Sequence, residues 1–276
     1  MKLCNIRGSR NVEDRRGRSS LGRAGGIGGV GLLVVLAIGY FTGVDVTPLL
    51  TEPQSDSRSA YVPTEAEQHA AEFASRVLAT TEDVWTDVFL NQLDAPYRPP
   101  VLVLFSEVTQ SPCGGASGAS GPFYCPADQK AYLDLSFFTT LERELGAQGD
   151  FASAYVIAHE VAHHVQNEIG ILEQVDAVRR QSGEAQANAL TVRLELQADC
   201  LSGLWASQVH GLMERGDLEE ALNAARKIGD DHLQRRAGRV PQPHTFTHGT
   251  SEQRANWFQR GFDAKSIAAC DTFEQG

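Results

Sequence analysis

The sequence lacks an excess of positive charge, a second long apolar run and any internal repeat. Its 24 Lys and Arg are outnumbered by 35 Asp and Glu, so the net charge of −11 would repel the phosphates of a nucleic acid. A single long apolar run excludes a multi-pass membrane protein. With 42% apolar residues over 276 positions, the chain can bury a sizeable core in one or two domains. We therefore expect no nucleic-acid partner.

Positive charge is concentrated at the start of the chain. Residues 1–23 hold seven Lys or Arg against two acidic residues, and residues 24–44 then carry no charge at all. About 20 such residues span the hydrocarbon core of a bilayer, and a basic flank stays in the cytoplasm. The pattern predicts a basic cytoplasmic leader at 1–23, a transmembrane helix at 24–44, a linker at 45–63 and an extracytoplasmic domain at 64–276.

Two alternatives for residues 24–44 stay open at the level of sequence. A cleaved signal peptide would need small residues in an A-x-A-like site after the apolar run, and residues 39–43 offer none. A buried soluble helix suits the run poorly because glycine, which is frequent there, destabilises helices. We favour a single-pass membrane protein with its N-terminus in the cytoplasm.

Five cysteines fit this topology. Cys4 falls on the cytoplasmic side, and the other four fall in the exported body, where three pairings are possible. Cys113 and Cys125 flank a loop rich in Gly, Ser and Ala, which their pairing would close. This pairing leaves Cys200 to bond with Cys270 and to fasten the C-terminal tail. The alternative is a set of buried free thiols.

The body is predicted to be an α+β domain that is mostly helical and has a small sheet. Its first helix opens with the capping box Thr64-x-x-Glu67, and its apolar residues recur at helical spacings. Predicted helices span about 64–93, 151–169, 171–181, 184–209, 217–229 and 251–262, with short helices within 137–146, and predicted strands span 101–105 and 131–135.

His159 and His163 lie four residues apart in a stretch with a helical pattern, so both imidazoles leave the same face of a helix. This spacing lets two ring nitrogens reach one Zn²⁺ at about 2.0–2.1 Å. Glu160 follows His159 directly and is the candidate general base, because it would lie near the attacking water. The alternative is a core helix with two incidental histidines, which would leave buried polar groups without partners.

A catalytic zinc needs a third protein ligand. The metzincin pattern requires Gly and His where this chain has Gln166 and Ile169, so that class is excluded. Glu195 and Asp199 share one face of a later helix that is rich in apolar residues, and buried carboxylates need a cation. We predict that Glu195 binds the metal while Asp199 accepts the far ring N–H of a histidine ligand, with the reverse assignment as the alternative.

Three motifs carry a resemblance to a known family: HEVAHHVQ at 159–166, ELQADC at 195–200 and FTHGTSEQR at 246–254. They resemble the bacterial neutral zinc metallopeptidases, and the likeness runs through nearly the whole chain. The order of the motifs is similar to that of the M48-type gluzincins, except at Gly249, where proline is usual. The resemblance implies a zincin-like domain with Asp199 behind the metal ligands. The ligands that it implies are His159, His163 and Glu195.

His248 and Arg254 fall in the third motif. His248 follows a Pro-rich loop and precedes a predicted helix, so it could project over the cleft and stabilise an oxyanion, with Arg254 holding the loop or assisting. We expect a zinc-dependent peptidase that acts on a peptide or protein, and the strand ending near Leu135 could bind this substrate by edge pairing. Two other functions stay open: a non-proteolytic, membrane-tethered zinc-binding scaffold and a zinc hydrolase of a non-peptide amide.

Overall fold

A computed structural model describes residues 1–17, 61–117 and 121–273. They form a mostly helical α+β fold with a small sheet. The strands are β1 (Val12–Asp14), β2 (Val101–Phe105), β3 (Val108–Ser111), β4 (Gly114–Ser117), β5 (Phe123–Cys125) and β6 (Lys130–Asp134). The helices are α1 (Glu65–Val88), α2 (Ser136–Thr139), α3 (Asp150–Glu168), α4 (Ile171–Arg179), α5 (Glu184–Gln208), α6 (Asp217–Lys227), α7 (Asp230–Arg236) and α8 (Ser251–Ala264). The π-helical segments are Phe89–Leu93 and Thr140–Glu144, and the 3₁₀ turns are His210–Leu212, Pro243–Thr245 and Ile267–Cys270.

The main sheet has the strand order β1-β2-β6-β5, while β3 and β4 form a separate antiparallel hairpin. β2 lies parallel to both β1 and β6, and β5 runs antiparallel to β6. Almost all side chains of β2 and β6 are buried, as is usual for interior parallel strands. β1 and β5 are therefore the two edges of this sheet.

Helix α3 lies in the interior of the domain. It packs against α1, α5 and α6, and most of its side chains are buried. A helix that is apolar around nearly its whole circumference is stable only in such a place. The helix ends just before Gly170, whose φ of +77° is a left-handed conformation typical of helix C-termini.

Helices α5 and α8 approach each other so closely that their backbones touch. A β-carbon on Gly203 would lie 1.9 Å from the carbonyl oxygen of Phe258, and one on Gly261 would lie 1.8 Å from that of Cys200. Neither contact is possible, so both positions require glycine. The close approach brings the first turn of α8, which carries Arg254, against the middle of α5.

The first residues of the chain belong to the domain rather than to a separate leader. Met1–Arg15 and Thr64–Gly276 form one compact unit, and Arg16–Pro63 form another. β1 pairs with β2 along its whole length, and Arg7 donates to the buried carboxylate of Glu82 at 2.8 Å. Two hydrogen-bonded strands cannot lie on opposite sides of a membrane. The predicted separation of a cytoplasmic leader from an extracytoplasmic domain is therefore wrong.

The predicted transmembrane helix is not supported either. Residues 24–44 lie outside the described part of the chain, and within that part no helix combines the length and the apolar character needed to cross a bilayer. The assignment as a single-pass membrane protein is corrected accordingly. Two of the basic residues that suggested a cytoplasmic flank have acidic partners inside the domain: Arg7 pairs with Glu82, and Arg15 pairs with Glu13.

Two disulfides cross-link the described part of the chain. Cys113–Cys125 joins the turn of the β3–β4 hairpin to β5, and Cys200–Cys270 joins α5 to the C-terminal segment. These are the pairings that the sequence favours, and Cys4 is free and exposed. The long predicted helices are present within a few residues of their expected ends, whereas β1, β5, the hairpin and α7 were not predicted.

Candidate metal centre

Helix α3 presents His159 and His163 one turn apart on the face that meets α5. Their rings lie edge to face, with centroids 4.8 Å apart, and the side chains are only 7% and 15% exposed. Tyr155 lies one turn earlier, with its ring centroid 6.0 Å from that of His159. The helical spacing therefore places two imidazoles side by side, both largely shielded from solvent.

Helix α5 runs past this face and adds the carboxylate of Glu195. Glu195 Oε2 lies 3.1 Å from His159 Nε2, and Glu195 Oε1 lies 3.5 Å from His163 Nε2. Donor atoms bound to one tetrahedral zinc at about 2.0–2.1 Å would lie about 3.3 Å apart, so these distances fit a shared ion. The structure thus brings the three candidate ligands together.

The charges of this cluster are strongly coupled. Burial opposes ionisation of Glu195, yet the neighbouring histidines lower the pKa of its carboxyl well below the usual value. Burial also opposes the charged form of His159, but Asp199 and Glu195 raise the pKa of this imidazole to about 9. The carboxylates therefore attract positive charge to this point, and a divalent cation can take the place of the protons on the rings.

Glu160 differs from Glu195 in its surroundings. It lines the same cleft, and burial raises the pKa of its carboxyl, although the charges of His163 and His159 oppose this shift. A raised pKa suits a carboxylate that takes up a proton and later returns it. Because Glu160 follows His159 along α3, its carboxylate lies beside the cluster of donors and is not part of it.

Asp199 lies behind His159, one turn along α5 from Glu195. Its Oδ1 atom is 3.0 Å from His159 Nδ1 and accepts a 2.5 Å hydrogen bond from the Tyr155 hydroxyl. Arg254 donates to both carboxylate oxygens, at 2.9 and 3.0 Å. Burial opposes ionisation of Asp199, but the Arg254 guanidinium lowers the pKa of its carboxyl. Asp199 therefore contacts the ring nitrogen of His159 that points away from Glu195.

Arg254 is among the residues that line the cleft, and its guanidinium is bonded to the side chains behind His159. Only 1% of the residue is exposed, and its guanidinium donates to Asp199, to the Tyr155 hydroxyl and to the carbonyl oxygen of Ile228. The sequence suggested that Arg254 holds the loop of His248 or assists catalysis directly. Because its N–H groups donate to these partners, Arg254 acts in the structure as a counter-ion for Asp199.

A cleft of about 940 Å³ opens onto these residues. Its walls include Phe123 and Tyr124 from β5, Leu172 from α4 and His248 from the loop before α8. The strand that ends near Leu135 is β6, which pairs with β2 along its whole length and with β5 only through Lys130, Ala131 and Tyr132. The predicted edge pairing through the end of that strand stays a prediction, since Leu133 and Asp134 have no partner in β5. Among the described strands, β5 is the edge strand that lines the cleft.

Comparison with known proteins is consistent with a zinc-binding role for the chain. A sequence profile described as "Putative neutral zinc metallopeptidase" matches residues 1–273. The chain belongs to this family. The neutral zinc metallopeptidase profile includes the first 15 residues, in agreement with their place in the domain.

Relatives of this chain are found in Escherichia coli and Mycobacterium tuberculosis. Uncharacterized protein YpfJ of Escherichia coli (strain K12) is 48% identical over 285 residues, which covers 99% of each chain. Uncharacterized protein Rv2575 of Mycobacterium tuberculosis (strain H37Rv) is 39% identical over 211 residues, which covers 72% of this chain and 70% of the relative. No solved structure shows significant similarity to the chain. The names of the relatives state no activity, and the resemblance to M48-type gluzincins stays a prediction.

The loop before α8 carries His248 into the cleft. The imidazole is 48% exposed, and its Nδ1 lies 3.4 Å from Asp230 Oδ1. Asp230 Oδ2 also accepts the backbone N–H groups of Thr247, His248 and Gly249, which fixes the loop. Gly249 has a φ of +88°, which proline cannot adopt, so the departure from the M48-type pattern has a local cause.

Several residues around this centre were not found from the sequence. Tyr155 and Gln166 lie on α3 at helical spacings from the two histidines, so their spacing could have indicated them. Asp230 contacts His248 at a sequence separation of 18, and Gln197 contacts Gln166 at a separation of 31. No local pattern signals contacts of that kind, which arise only from the fold.

His164 lies next to His163 in the chain but faces away from the metal donors. Its Nε2 donates to the carbonyl oxygen of Arg98 at 2.6 Å, so its Nδ1 accepts from the Tyr124 hydroxyl at 3.0 Å. Burial lowers the pKa of His164, which keeps the ring neutral. Since Tyr124 belongs to β5, His164 fastens the edge strand to α3 beside the cleft.

Proposed function

We propose that this protein is a zinc-dependent peptidase that hydrolyses peptide bonds, with the metal held by His159, His163 and Glu195. One donor atom from each of these side chains falls within 4.8 Å of the other two, and this convergence carries the proposal. Two imidazoles and one carboxylate are a donor set of catalytic zinc sites, which keep a further position open. Membership of a zinc metallopeptidase family supports the same metal.

The proposed chemistry assigns the proton transfers to Glu160. Zinc bound at this centre would act as a Lewis acid that polarises the substrate carbonyl and lowers the pKa of a water molecule. Glu160 takes a proton from the attacking water and then gives it to the leaving amine. Burial raises the pKa of this carboxyl, which helps it to hold the proton between the two transfers.

His248 is proposed to stabilise the oxyanion that forms during the attack. When the ring carries both protons, Nδ1 donates to Asp230, and Nε2 remains available to a substrate in the cleft. Asp230 acts here as a positioning residue, because it holds both the ring and the backbone of the loop.

The remaining polar residues are proposed to position the ligands. Asp199 Oδ1 lies 3.0 Å from Nδ1 of His159, and we assign this carboxylate as the acceptor of the ring N–H in the metal-bound protein, which leaves Nε2 for the metal. Arg254 and Tyr155 hold Asp199 in place and compensate its buried charge. None of these three residues is proposed to touch the substrate.

A peptide substrate is proposed to pair with the free edge of β5. The strand lines the cleft, and among the described strands only β6 pairs with it. Edge addition of an extended peptide gives main-chain hydrogen bonds without a requirement for particular side chains. His164 and the Cys113–Cys125 disulfide hold this strand in position.

The proposal is tested with the purified full-length protein and the variant Glu160→Gln. Zinc-loaded wild type is expected to cleave unstructured peptides, with products identified by mass spectrometry, and to lose this activity with a chelator. Glu160→Gln is expected to retain stoichiometric zinc but to lose activity by about 10²–10⁴-fold. The exposed Glu173 offers a matched control, Glu173→Gln, which should cleave like wild type. Equal activities of Glu160→Gln and wild type would contradict the proposal.

A further inference from the structure

The direction of a hydrogen-bond chain behind His163 is set by a group that can only accept. The carbonyl oxygen of Cys270 carries no proton, and it lies 3.1 Å from Nε2 of Gln197. The amide of Gln197 therefore points its NH₂ group at Cys270. Its Oε1 atom points the other way, toward Gln166.

The amide of Gln166 is fixed by the same reasoning. Its Nε2 donates to Gln197 Oε1 at 3.0 Å and to the carbonyl oxygen of Leu194 at 2.7 Å, which uses both of its protons. Only its Oε1 remains, and this atom lies 2.9 Å from Nδ1 of His163. Because an amide oxygen cannot donate, Nδ1 of His163 must carry the proton of this bond.

Burial makes the direction of the chain costly to reverse. Gln166 is 0% exposed and Gln197 is 4% exposed. Turning either amide would place donor against donor and acceptor against acceptor at a point where bulk water does not reach. Two independent acceptors, the carbonyl oxygens of Leu194 and Cys270, oppose such a turn.

We propose that Gln166 and Gln197 form a directed amide relay that keeps the His163 proton on Nδ1 and leaves the Nε2 lone pair free for zinc. Nε2 is the ring atom that faces Glu195, at 3.5 Å from its Oε1. Gln166 is a positioning residue, because it acts through His163 and does not touch the substrate. This inference rests on the proposed zinc site and adds two residues to it.

The last acceptor of the relay, the carbonyl oxygen of Cys270, is held in place by a disulfide. Cys270 is bonded to Cys200 of α5, the helix that also carries Glu195 and Gln197. One helix thus supplies a metal ligand, a relay residue and the attachment point of the terminal acceptor. The disulfide holds the Cys270 carbonyl within hydrogen-bonding distance of the Gln197 side chain.

Zinc affinity of the full-length protein, measured by competition with a chromophoric chelator, tests the relay. Gln166→Met keeps the size of the side chain but removes its hydrogen bonds, and it is expected to weaken zinc binding by about 10–100-fold. Gln197→Met is expected to weaken binding less, because the Leu194 carbonyl still orients Gln166. Gln259 lies on α8 and bonds the exposed Asp263, so Gln259→Met is the control and should bind zinc like wild type. Wild-type affinity in folded Gln166→Met would overturn the relay.

A second measurement needs no variant. In wild-type protein with isotopically labelled histidine and an NMR-active cadmium isotope in the zinc site, the metal should couple to Nε2 of His163, and Nδ1 should carry a proton protected from exchange. Coupling to Nδ1 would overturn the relay, even if Gln166→Met failed to fold. A wild type that bound neither zinc nor cadmium would overturn the proposed function together with the relay. Zinc binding that is insensitive to Gln166→Met would overturn the relay alone.

Discussion

At the scale of single residues, the two candidate histidine ligands are held by partners of different charge. His159 contacts the carboxylate of Asp199, whereas His163 contacts the neutral amide of Gln166. A carboxylate partner increases the electron density of an imidazole more than an amide does. The two imidazoles should therefore differ as metal ligands, with His159 the stronger electron donor.

Metal content distinguishes the roles of the two acids on α5. Glu195→Ala is expected to lose stoichiometric zinc, because two imidazoles alone do not hold the ion. Asp199→Ala is expected to keep zinc at saturating concentration but with an affinity about 10–100-fold lower. Elemental analysis after dialysis against defined free zinc measures both effects. Zinc loss in Asp199→Ala with full retention in Glu195→Ala would reverse the assignment.

Removal of the Arg254 guanidinium should destabilise the fold. Arg254→Met leaves the fully buried Asp199 carboxylate without its counter-ion, at a cost of about 3–5 kcal/mol in the free energy of unfolding. Urea denaturation of the metal-free protein measures this change. Adding Asp199→Asn to Arg254→Met should recover part of the loss, since the orphaned charge is gone.

The matched control for this variant lies on the same helix. Arg260 is exposed and lies over the Trp257 ring, at 4.7 Å from its centroid, so Arg260→Met should cost about 1 kcal/mol or less. Equal destabilisation by the two substitutions would show that the ion pair with Asp199 contributes no more to the free energy of unfolding than the exposed contact of Arg260 with Trp257.

At the scale of secondary-structure elements, the glycine contact between α5 and α8 sets the position of Arg254 relative to Asp199. Gly261→Ala would press a methyl group into the Cys200 carbonyl, so we expect the helices to separate at a cost of about 1–3 kcal/mol or more. Thermal denaturation followed by circular dichroism measures this cost. Gly211→Ala, where the added carbon meets nothing within 4 Å, is the control. An unchanged melting temperature in Gly261→Ala would contradict the close packing.

The elements also show how far the sequence predicts this fold. Long helices such as α3 and α5 have apolar periodicity and end signals within their own residues, so their existence and approximate ends followed from the sequence. β1 and β5 contain three residues each, too few for a pattern, and they form only because a neighbouring strand is present. The edge strand β5 at the cleft was therefore not predicted.

The same distinction between local patterns and long-range contacts applies to the candidate site. His159, Glu160 and His163 are close in space because one helix turn joins them, and this part was predictable. Glu195 and Asp199 were found because a second helical spacing repeats the first. Asp230 and Gln197 were out of reach, since their contacts join segments that no local pattern connects. The leader was misassigned because a charge pattern does not show where its partners lie.

At the scale of the whole molecule, Glu13 is a link between the N-terminal segment and the rest of the domain. It accepts from Arg15 at 2.8 Å and from Lys130 of β6 at 2.7 Å, and these hydrogen bonds lower the pKa of its carboxyl from 4.5 to about 2. A lowered pKa in the folded state means that the carboxylate stabilises the fold above pH 4.5. This contribution is lost as the pH falls through about 2.

Glu13→Gln tests this link. It should lower the free energy of unfolding by about 1 kcal/mol at pH 7, a small value because the three side chains are partly exposed. Urea denaturation at a series of pH values should show the difference from wild type shrinking below pH 4.5, since Glu13 of the unfolded chain then takes up a proton that the folded protein binds only near pH 2. The exposed variant Glu173→Gln gives the baseline. A difference that grows on acidification would contradict the ion pair.

The N-terminal contacts have a consequence for the order of events during biosynthesis. Lys2 donates its backbone N–H to the carbonyl of Leu212, and β1 pairs with β2 far along the chain. A ribosome delivers the residues of β1 early, long before these partners have left the exit tunnel. The nascent N-terminus must therefore wait without its sheet neighbour, exposed to chaperones and proteases, and the domain can close only after most of the polypeptide has been made.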